Sequence, residues 1–175
     1  NQKKMPTVKE VLNDTKKRLK EQGIDTYSLD SSLLVSEVTG LTKIQLVTHD
    51  RDEVTEEQIN RLENLVKERL KNKPMQYILG HCEFMGLDFK VTENTLIPRG
   101  DTENIVEEVI ATIENSGYNN VLDMCTGTGA IAISVAHYTK AKVTASDISS
   151  KALEVARENA KILNADVNFI ESDLF

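Results

Sequence analysis

Residues 121–132 read VLDMCTGTGAIA, and in this stretch an apolar run leads into a glycine-rich turn and then into a second apolar run. This order is typical of a strand, a tight turn and the start of a helix. Gly127 and Gly129 allow a ligand to approach bare backbone, and the amides at the helix start face it. The stretch therefore predicts a ligand-binding loop over residues 125–129, which we call the glycine loop.

Strands and helices continue to alternate after the glycine loop. Apolar runs predict strands over 142–146 and 167–170, and helical spacing predicts helices over 130–138 and 149–163. Strands that alternate with helices of this length form a parallel sheet through right-handed crossovers. The C-terminal part of the chain is therefore predicted to be an α/β fold.

Two carboxylates near the glycine loop indicate which ligand it binds. Asp147 lies 18 residues beyond Gly129, at the end of the next predicted strand, where an acidic side chain can bind both hydroxyls of a ribose. Asp123 ends the first strand, and a carboxylate there repels the phosphates of NAD or FAD but attracts the ammonium and sulfonium of S-adenosylmethionine. We therefore predict S-adenosylmethionine as the cofactor. The alternative for Asp123 is an aspartate that only caps the turn.

The first 72 residues predict a helical bundle instead. Thr7 and Thr55 each stand three residues before a Glu or Gln, the spacing of a capping box, and apolar residues recur at helical spacing after both. Gly40 closes a further helix predicted over 28–39. A bundle of three or four helices follows from this pattern.

The pattern then changes to short apolar stretches at 77–79, 84 and 87–91, separated by glycines. These stretches predict strands, with Gly86 in a hairpin turn. Asp101 or Thr102 is predicted to cap the next helix, which ends near Gly117. The predicted domains are a helical bundle (1–72), a β-hairpin connector (73–97) and a partial α/β domain (98–175).

Charge and composition exclude several classes of protein. The 175 residues carry a net charge of −7, and residues 75–175 carry −8, from 7 basic and 15 acidic side chains. This charge is unfavourable for contact with nucleic acid phosphates. No apolar run approaches the ~18 residues of a membrane span. Cys82 and Cys125 form no CxxC pair, and the histidines are scattered, so we predict no metal site and no disulfide framework, and expect a cytoplasmic protein.

Three blocks of the chain resemble the HemK/PrmC family of protein-(glutamine-N5) methyltransferases, which modify peptide chain release factors. The blocks are KPMQYILG at 73–80 with Glu83-Phe84, LIPRGDTE at 96–103, and VLDMCTGTGAIA with ASDIS at 145–149. The resemblance implies a helical bundle, a β-hairpin connector and the first half of a Rossmann-like S-adenosylmethionine-dependent methyltransferase domain. It also implies that the bundle docks a release factor.

The resemblance assigns roles to particular residues. It implies that the glycine loop holds the methionine end of the cofactor, that Asp147 binds the ribose, and that the end of the chain lies near the adenine. Arg99, Thr102 and Glu103 are expected to line the pocket or brace the connector, with a helix-capping role as the alternative. The predicted cofactor-binding residues are Asp123, Cys125, Thr126, Gly127, Thr128, Gly129, Asp147, Asp173 and Leu174.

Two departures from the family limit these expectations. Gly100-Asp101 replaces the usual Pro-Glu, which retains the charge but releases a fixed backbone angle. The Asn-Pro-Pro-Tyr motif that grips the methylated amide is absent from this chain. We therefore predict an inactive N-terminal fragment, in which no catalytic residue is named.

The sequence leaves three alternatives for the function and predicts one property of the sheet. The enzyme is expected to methylate a glutamine amide, and the alternatives are another amide, a base amine, or a protein-binding module without activity. The first strand of the parallel sheet, over 121–124, is expected to present an unpaired edge. Because such an edge invites pairing, we predict self-association through it or local disorder.

Overall fold

The computed structural model describes residues 4–173, in which eight helices and five strands form. In chain order they are α1 Val8–Glu21, α2 Tyr27–Thr39, α3 Lys43–Thr48, α4 Glu56–Leu70, α5 Met75–Leu79, β1 His81–Phe84, β2 Leu87–Lys90, α6 Asp101–Ser116, β3 Asn120–Met124, α7 Ala130–Tyr138, β4 Lys142–Asp147, α8 Ser150–Ile162 and β5 Val167–Glu171. The chain divides into two units, Asn1–Leu79 and Gly80–Phe175. No helix among the described residues is both long and apolar enough to cross a membrane.

Threonine caps start three helices of the first unit, α1, α3 and α4. Thr7, Thr42 and Thr55 each accept a hydrogen bond from the backbone N–H three residues further on. The box predicted at Thr55 is complete, and at Thr7 the structure shows its threonine half. Gly40 ends α2 with a φ of 74°, which a glycine adopts without strain. The helical bundle is therefore confirmed.

The first unit has an apolar core and one buried ion pair. Its most deeply buried side chains include Val8, Leu19, Leu34, Val35 and Val66. Asp30 of α2 accepts hydrogen bonds at Oδ2 from Arg69 Nε at 2.9 Å and from the Thr26 hydroxyl at 2.8 Å. Arg69 also donates from Nη1 to the Lys73 carbonyl at 3.0 Å. This pair ties α2 to the last turn of α4.

One predicted strand is wrong. Residues 77–79 lie in α5, where the Tyr77 and Ile78 N–H groups both donate to the Pro74 carbonyl at 3.1 Å. Pro74 stands just before the helix, where its fixed φ suits a first turn and its missing N–H removes no helical bond. A short apolar stretch has no period long enough to distinguish a strand from a single helical turn.

The predicted β-hairpin is confirmed. Strands β1 and β2 pair antiparallel, with His81 opposite Lys90 and Phe84 opposite Leu87. The connection is Met85–Gly86, which we call the hairpin turn, and both residues have positive φ, 52° and 73°. Such backbone angles fit a two-residue turn that follows the natural twist of the strands.

Helix α6 begins at the predicted place, but the predicted cap is wrong. Gly100 occupies the N-cap position, without a side-chain cap bond, and Asp101 and Thr102 lie in the first turn. The Thr102 and Glu103 N–H groups donate instead to the carbonyls of Arg99 and Gly100, both at 3.0 Å. A tight backbone turn thus satisfies groups that a side-chain cap would otherwise bind.

The second unit contains the predicted parallel sheet, in the strand order β3-β4-β5. Asp123 of β3 pairs with Ala145 of β4, and Asp147 of β4 pairs with Glu171 of β5. The central strand is the best buried, because helices cover it and strands flank it on both sides. Within residues 4–173, β3 has a partner on one side, and Leu122 and Met124 are 60% and 54% exposed.

Candidate functional site

The glycine loop joins β3 to α7 at the carboxyl edge of the sheet. Three of its residues have left-handed backbone, with φ of 61° at Cys125, 57° at Gly127 and 82° at Gly129. The Thr126 N–H donates to the Ser146 carbonyl at 2.9 Å, which ties the loop to the end of β4. Cys125 is unusual, since a residue with a side chain is strained at this φ, and it is exposed.

The two glycines of the loop serve different purposes. A Cβ added to Gly129 would meet the Ile133 Cδ1 at 2.8 Å and the Ala156 Cβ at 3.3 Å, so this glycine allows α7 and α8 to pack closely. A Cβ added to Gly127 would meet nothing within 4 Å. The backbone at Gly127 is therefore open to a ligand, whereas the backbone at Gly129 is closed by protein.

Asp147 holds the loop from the end of β4. Its Oδ2 accepts from the Gly127 N–H at 3.0 Å, and its Oδ1 accepts from the Ser149 N–H at 2.9 Å. A carboxylate offers about four lone-pair sites, and these two bonds use one on each oxygen. Asp147 thus fixes the loop and keeps acceptor capacity for the hydroxyls of a ribose.

Asp123 is a half-buried carboxylate beside the loop. Burial raises its pKa, hydrogen bonds from the Thr126 hydroxyl and the Ala132 backbone N–H lower it, and the charge of Asp147 raises it. The bond from Thr126 Oγ1 to Asp123 Oδ2 measures 2.7 Å. Among residues 4–173, no Lys, Arg or His forms an ion pair with Asp123. The site therefore holds a desolvated acid that a bound cation would favour in its ionised form.

The sequence reasoning missed Asn159, which binds the glycine loop from α8. Its Nδ2 donates to the Thr128 carbonyl at 2.9 Å, and the Thr126 and Thr128 side chains are themselves buried. The available signal was a polar residue inside the apolar stripe of α8, between Ala156 and Ala160. A polar side chain at such a position needs buried partners.

The residues predicted from the middle family block lie at the start of α6. Glu103 Oε1 accepts from the Met85 N–H at 2.9 Å, and therefore contacts the hairpin turn. Thr102 is half-buried and Arg99 is exposed. Asp173 lies beyond β5 and is exposed, while Leu174 lies outside the described residues.

The groups present fit a positively charged nucleoside cofactor such as S-adenosylmethionine. Open backbone at Gly127, spare acceptors on Asp147 and the desolvated Asp123 lie together at one sheet edge. Within residues 4–173, no group of three or more His, Cys, Asp or Glu side chains is arranged to hold a metal ion.

Two protein families match parts of the chain. Residues 10–80 match the PrmC N-terminal domain, and residues 121–175 match a methyltransferase domain. The predicted family resemblance is confirmed. The release factor glutamine methyltransferase of Fusobacterium nucleatum is 44% identical over 170 residues, which are 95% of this chain and 48% of that protein. That of Clostridium acetobutylicum is 41% identical over 160 residues, 91% and 56% respectively.

The chain therefore spans about half the length of these curated relatives. Among solved structures, a tRNA (uracil-54, C5)-methyltransferase from Pyrococcus abyssi is 25% identical over 53% of this chain and 23% of its own, with a TM-score of 0.46. The parallel sheet and the methyltransferase domain match confirm the predicted fold class, and the domain match supports the predicted cofactor.

Proposed function

We propose that this chain is the helical domain and the cofactor-binding part of a release factor glutamine methyltransferase. The whole enzyme transfers a methyl group from S-adenosylmethionine to the side-chain amide of a glutamine. The observation that carries the proposal is the pair of carboxylates, Asp123 and Asp147, beside the open glycine loop, in a chain whose relatives bear this name. The bacterial relatives support a cytoplasmic location.

The described residues have distinct roles toward the cofactor in this proposal. S-adenosylmethionine supplies a methyl group on a sulfonium when it is bound. Residues 125–129 hold its methionine end, and Asp123 attracts its ammonium group across a desolvated site. Asp147 accepts from the ribose hydroxyls through lone pairs that Gly127 and Ser149 leave unused. Asp173 and Leu174 are proposed to lie near the adenine.

The glutamine amide that accepts the methyl group must be oriented and activated by the enzyme. An amide nitrogen is a poor nucleophile, so transfer depends on acceptors that orient it and stabilise the charge that develops. We assign no catalytic residue of that kind within this chain. The helical unit is proposed to dock the release factor, and Arg99 and Thr102 to face the pocket.

Two measurements test the proposal. Calorimetry with S-adenosylmethionine is expected to show binding to this chain with an affinity weaker than micromolar. Methyl transfer to a purified release factor is expected from a longer protein that contains this chain and not from the chain alone. Labelling of a nucleic acid base amine in place of the protein would favour the alternative substrate, although the charge of −8 over 75–175 opposes it. Failure to bind the cofactor at millimolar concentration would contradict the proposal.

We further propose that the chain self-associates through the edge of β3 that has no partner strand within residues 4–173. Leu122 and Met124 are exposed there, and a groove of about 600 Å³ between β3 and α6 is lined by apolar side chains that include Ile105 and Tyr118. An exposed strand edge with apolar flanks is a template for pairing with a second copy.

Sedimentation over a range of concentrations tests this association. Leu122→Glu places a charge on the edge and is expected to shift the protein toward the monomer. Leu96→Glu is the matched control, because Leu96 is 86% exposed and lies outside the edge. A monomer at high concentration in the unsubstituted chain would contradict the proposed association.

A further inference from the structure

Asn159 makes three hydrogen bonds although it is only 1% exposed. Its Oδ1 accepts from the Lys90 N–H at 2.7 Å, and its Nδ2 donates to the Lys90 carbonyl and to the Thr128 carbonyl, both at 2.9 Å. One oxygen and both N–H groups of the side-chain amide are thus engaged. A single buried side chain therefore joins the hairpin strand β2 to the glycine loop.

The bonds to Lys90 act on the outer edge of the hairpin. Both backbone groups of one residue face the Asn159 amide, as they would face a residue of a neighbouring strand. The hairpin turn is held separately, since Glu103 accepts from the Met85 N–H and the Tyr138 hydroxyl donates to the Met85 carbonyl at 2.5 Å. A displacement of β2 therefore acts directly on the hydrogen bonds of Asn159.

The bond to Thr128 acts on one peptide unit of the glycine loop. The oxygen of the Thr128–Gly129 peptide is bound by Asn159, and its N–H donates to the Thr126 carbonyl at 2.9 Å. The unit is bounded by Thr128 on one side and by Gly129 on the other, and glycine backbone rotates with little steric restriction. The two hydrogen bonds therefore help to fix the orientation of this peptide, since the glycine on its C-terminal side restricts it little.

We propose that Asn159 is a positioning residue that couples the β-hairpin to the glycine loop. All three bonds form only when the hairpin and the loop are both in place, because a buried amide left with unmet partners is unfavourable. A displacement of the hairpin is transmitted through Asn159 to the Thr128–Gly129 peptide. The consequence for cofactor binding rests on the proposed function, whereas the coupling itself does not.

Hydrogen exchange in the cofactor-free protein tests the coupling. Gly86→Ala strains the hairpin turn, because Gly86 has a φ of +73°. We expect exchange of the Gly129 N–H to accelerate about threefold or more, as the loop opens more often. Gly117→Ala is the control matched in backbone angle, with a φ of +72° at the end of α6; its added Cβ meets nothing within 4 Å, whereas a Cβ at Gly86 lies 3.5 Å from the Tyr138 hydroxyl. It is expected to leave the Gly129 N–H unchanged.

The same exchange measurement with and without Gly86→Ala is repeated in an Asn159→Asp background. This comparison separates coupling through Asn159 from a general loosening of the fold. Aspartate retains the acceptor for the Lys90 N–H and loses both donors. Gly86→Ala is expected to add no further acceleration at Gly129 in that background. It should still accelerate exchange in a Leu153→Ala background, where a fully buried side chain of the same helix is truncated. Equal acceleration with and without Asn159 would overturn the proposal.

Two further measurements test the coupling without the folded Asn159→Asp variant. If Asn159→Asp fails to fold, equal Gly129 exchange in Gly86→Ala and Gly117→Ala overturns the coupling. Calorimetry with S-adenosylmethionine is expected to show about threefold weaker binding in Gly86→Ala than in Gly117→Ala. Absence of binding to the unsubstituted chain would contradict the proposed function, and the exchange cycle would still decide the role of Asn159.

Discussion

Each of the two units contains a carboxylate that is shielded from solvent, fully at Asp30 and partly at Asp123, and the two carboxylates have different partners. Asp30 in the helical unit is paired with Arg69 and also accepts from the Thr26 hydroxyl; the two charged side chains are 5% and 16% exposed. Asp123 in the sheet unit accepts from the Thr126 hydroxyl, and no cation within residues 4–173 pairs with it. A buried acid that is already paired with a cation holds elements together, whereas a half-buried acid without a cation is suited to bind one.

The strongest test of this contrast is to remove the cation that Asp30 already has. Arg69→Met retains an apolar stem but leaves the Asp30 carboxylate buried and unpaired. We expect a loss of about 3–5 kcal/mol in the free energy of unfolding, measured by urea denaturation of the helical transition. Arg61→Met is the control, because Arg61 forms an exposed pair with Glu37 and should contribute about 0–1 kcal/mol. Equal losses in both variants would contradict a structural role for the buried pair.

Neutralising the unpaired carboxylate of Asp123 should weaken cofactor binding and have little effect on the free energy of unfolding. Asp123→Asn retains an oxygen that accepts from Thr126 and removes the charge that attracts the cofactor ammonium. We expect S-adenosylmethionine affinity to fall about 10- to 100-fold, measured by calorimetry, with little loss in unfolding free energy. The control is binding of an adenosine analogue without the amino-acid moiety, which should not distinguish the variant from the parent. A large loss of stability with unchanged affinity would assign Asp123 to the turn alone.

The difference between the two acids could be only partly predicted from sequence. The local order of residues around the glycine loop identified Asp123 and Asp147, because strand ends and loop residues are set by neighbours in the chain. The partner of Asp30 lies 39 residues away in α4, and Asn159 lies 31 residues from Thr128. Such contacts depend on how elements pack, and no local pattern specifies them. The strand predicted over 77–79 failed for a related reason, since its length was too short for a period.

The stability of the unsubstituted chain and that of Asp123→Asn should depend differently on pH. Burial raises the pKa of Asp123 in the folded chain above its unfolded value. The folded state therefore holds the proton more tightly, and this contribution to stability is lost as pH rises through the raised pKa. Asp123→Asn cannot ionise, so its stability relative to the parent should increase across that window, by about 1.4 kcal/mol for each unit of pKa difference. Urea denaturation at a series of pH values measures this, and parallel curves would contradict it.

The smallest effect is expected on removal of the Thr126 hydroxyl, which donates a hydrogen bond to Asp123. Thr126→Val removes the 2.7 Å bond to Asp123 Oδ2 while nearly preserving side-chain volume. Because that bond lowers the pKa of Asp123, the variant should titrate at a higher pH, and the unfolding free energy should fall by about 1 kcal/mol near neutral pH. Thr126→Ser, which retains the hydroxyl, should restore most of both quantities. The carboxyl carbon of Asp123, followed by NMR, reports the titration directly. An unchanged titration midpoint in the valine variant would mean that backbone donors alone, such as the Ala132 N–H, stabilise the ionised acid.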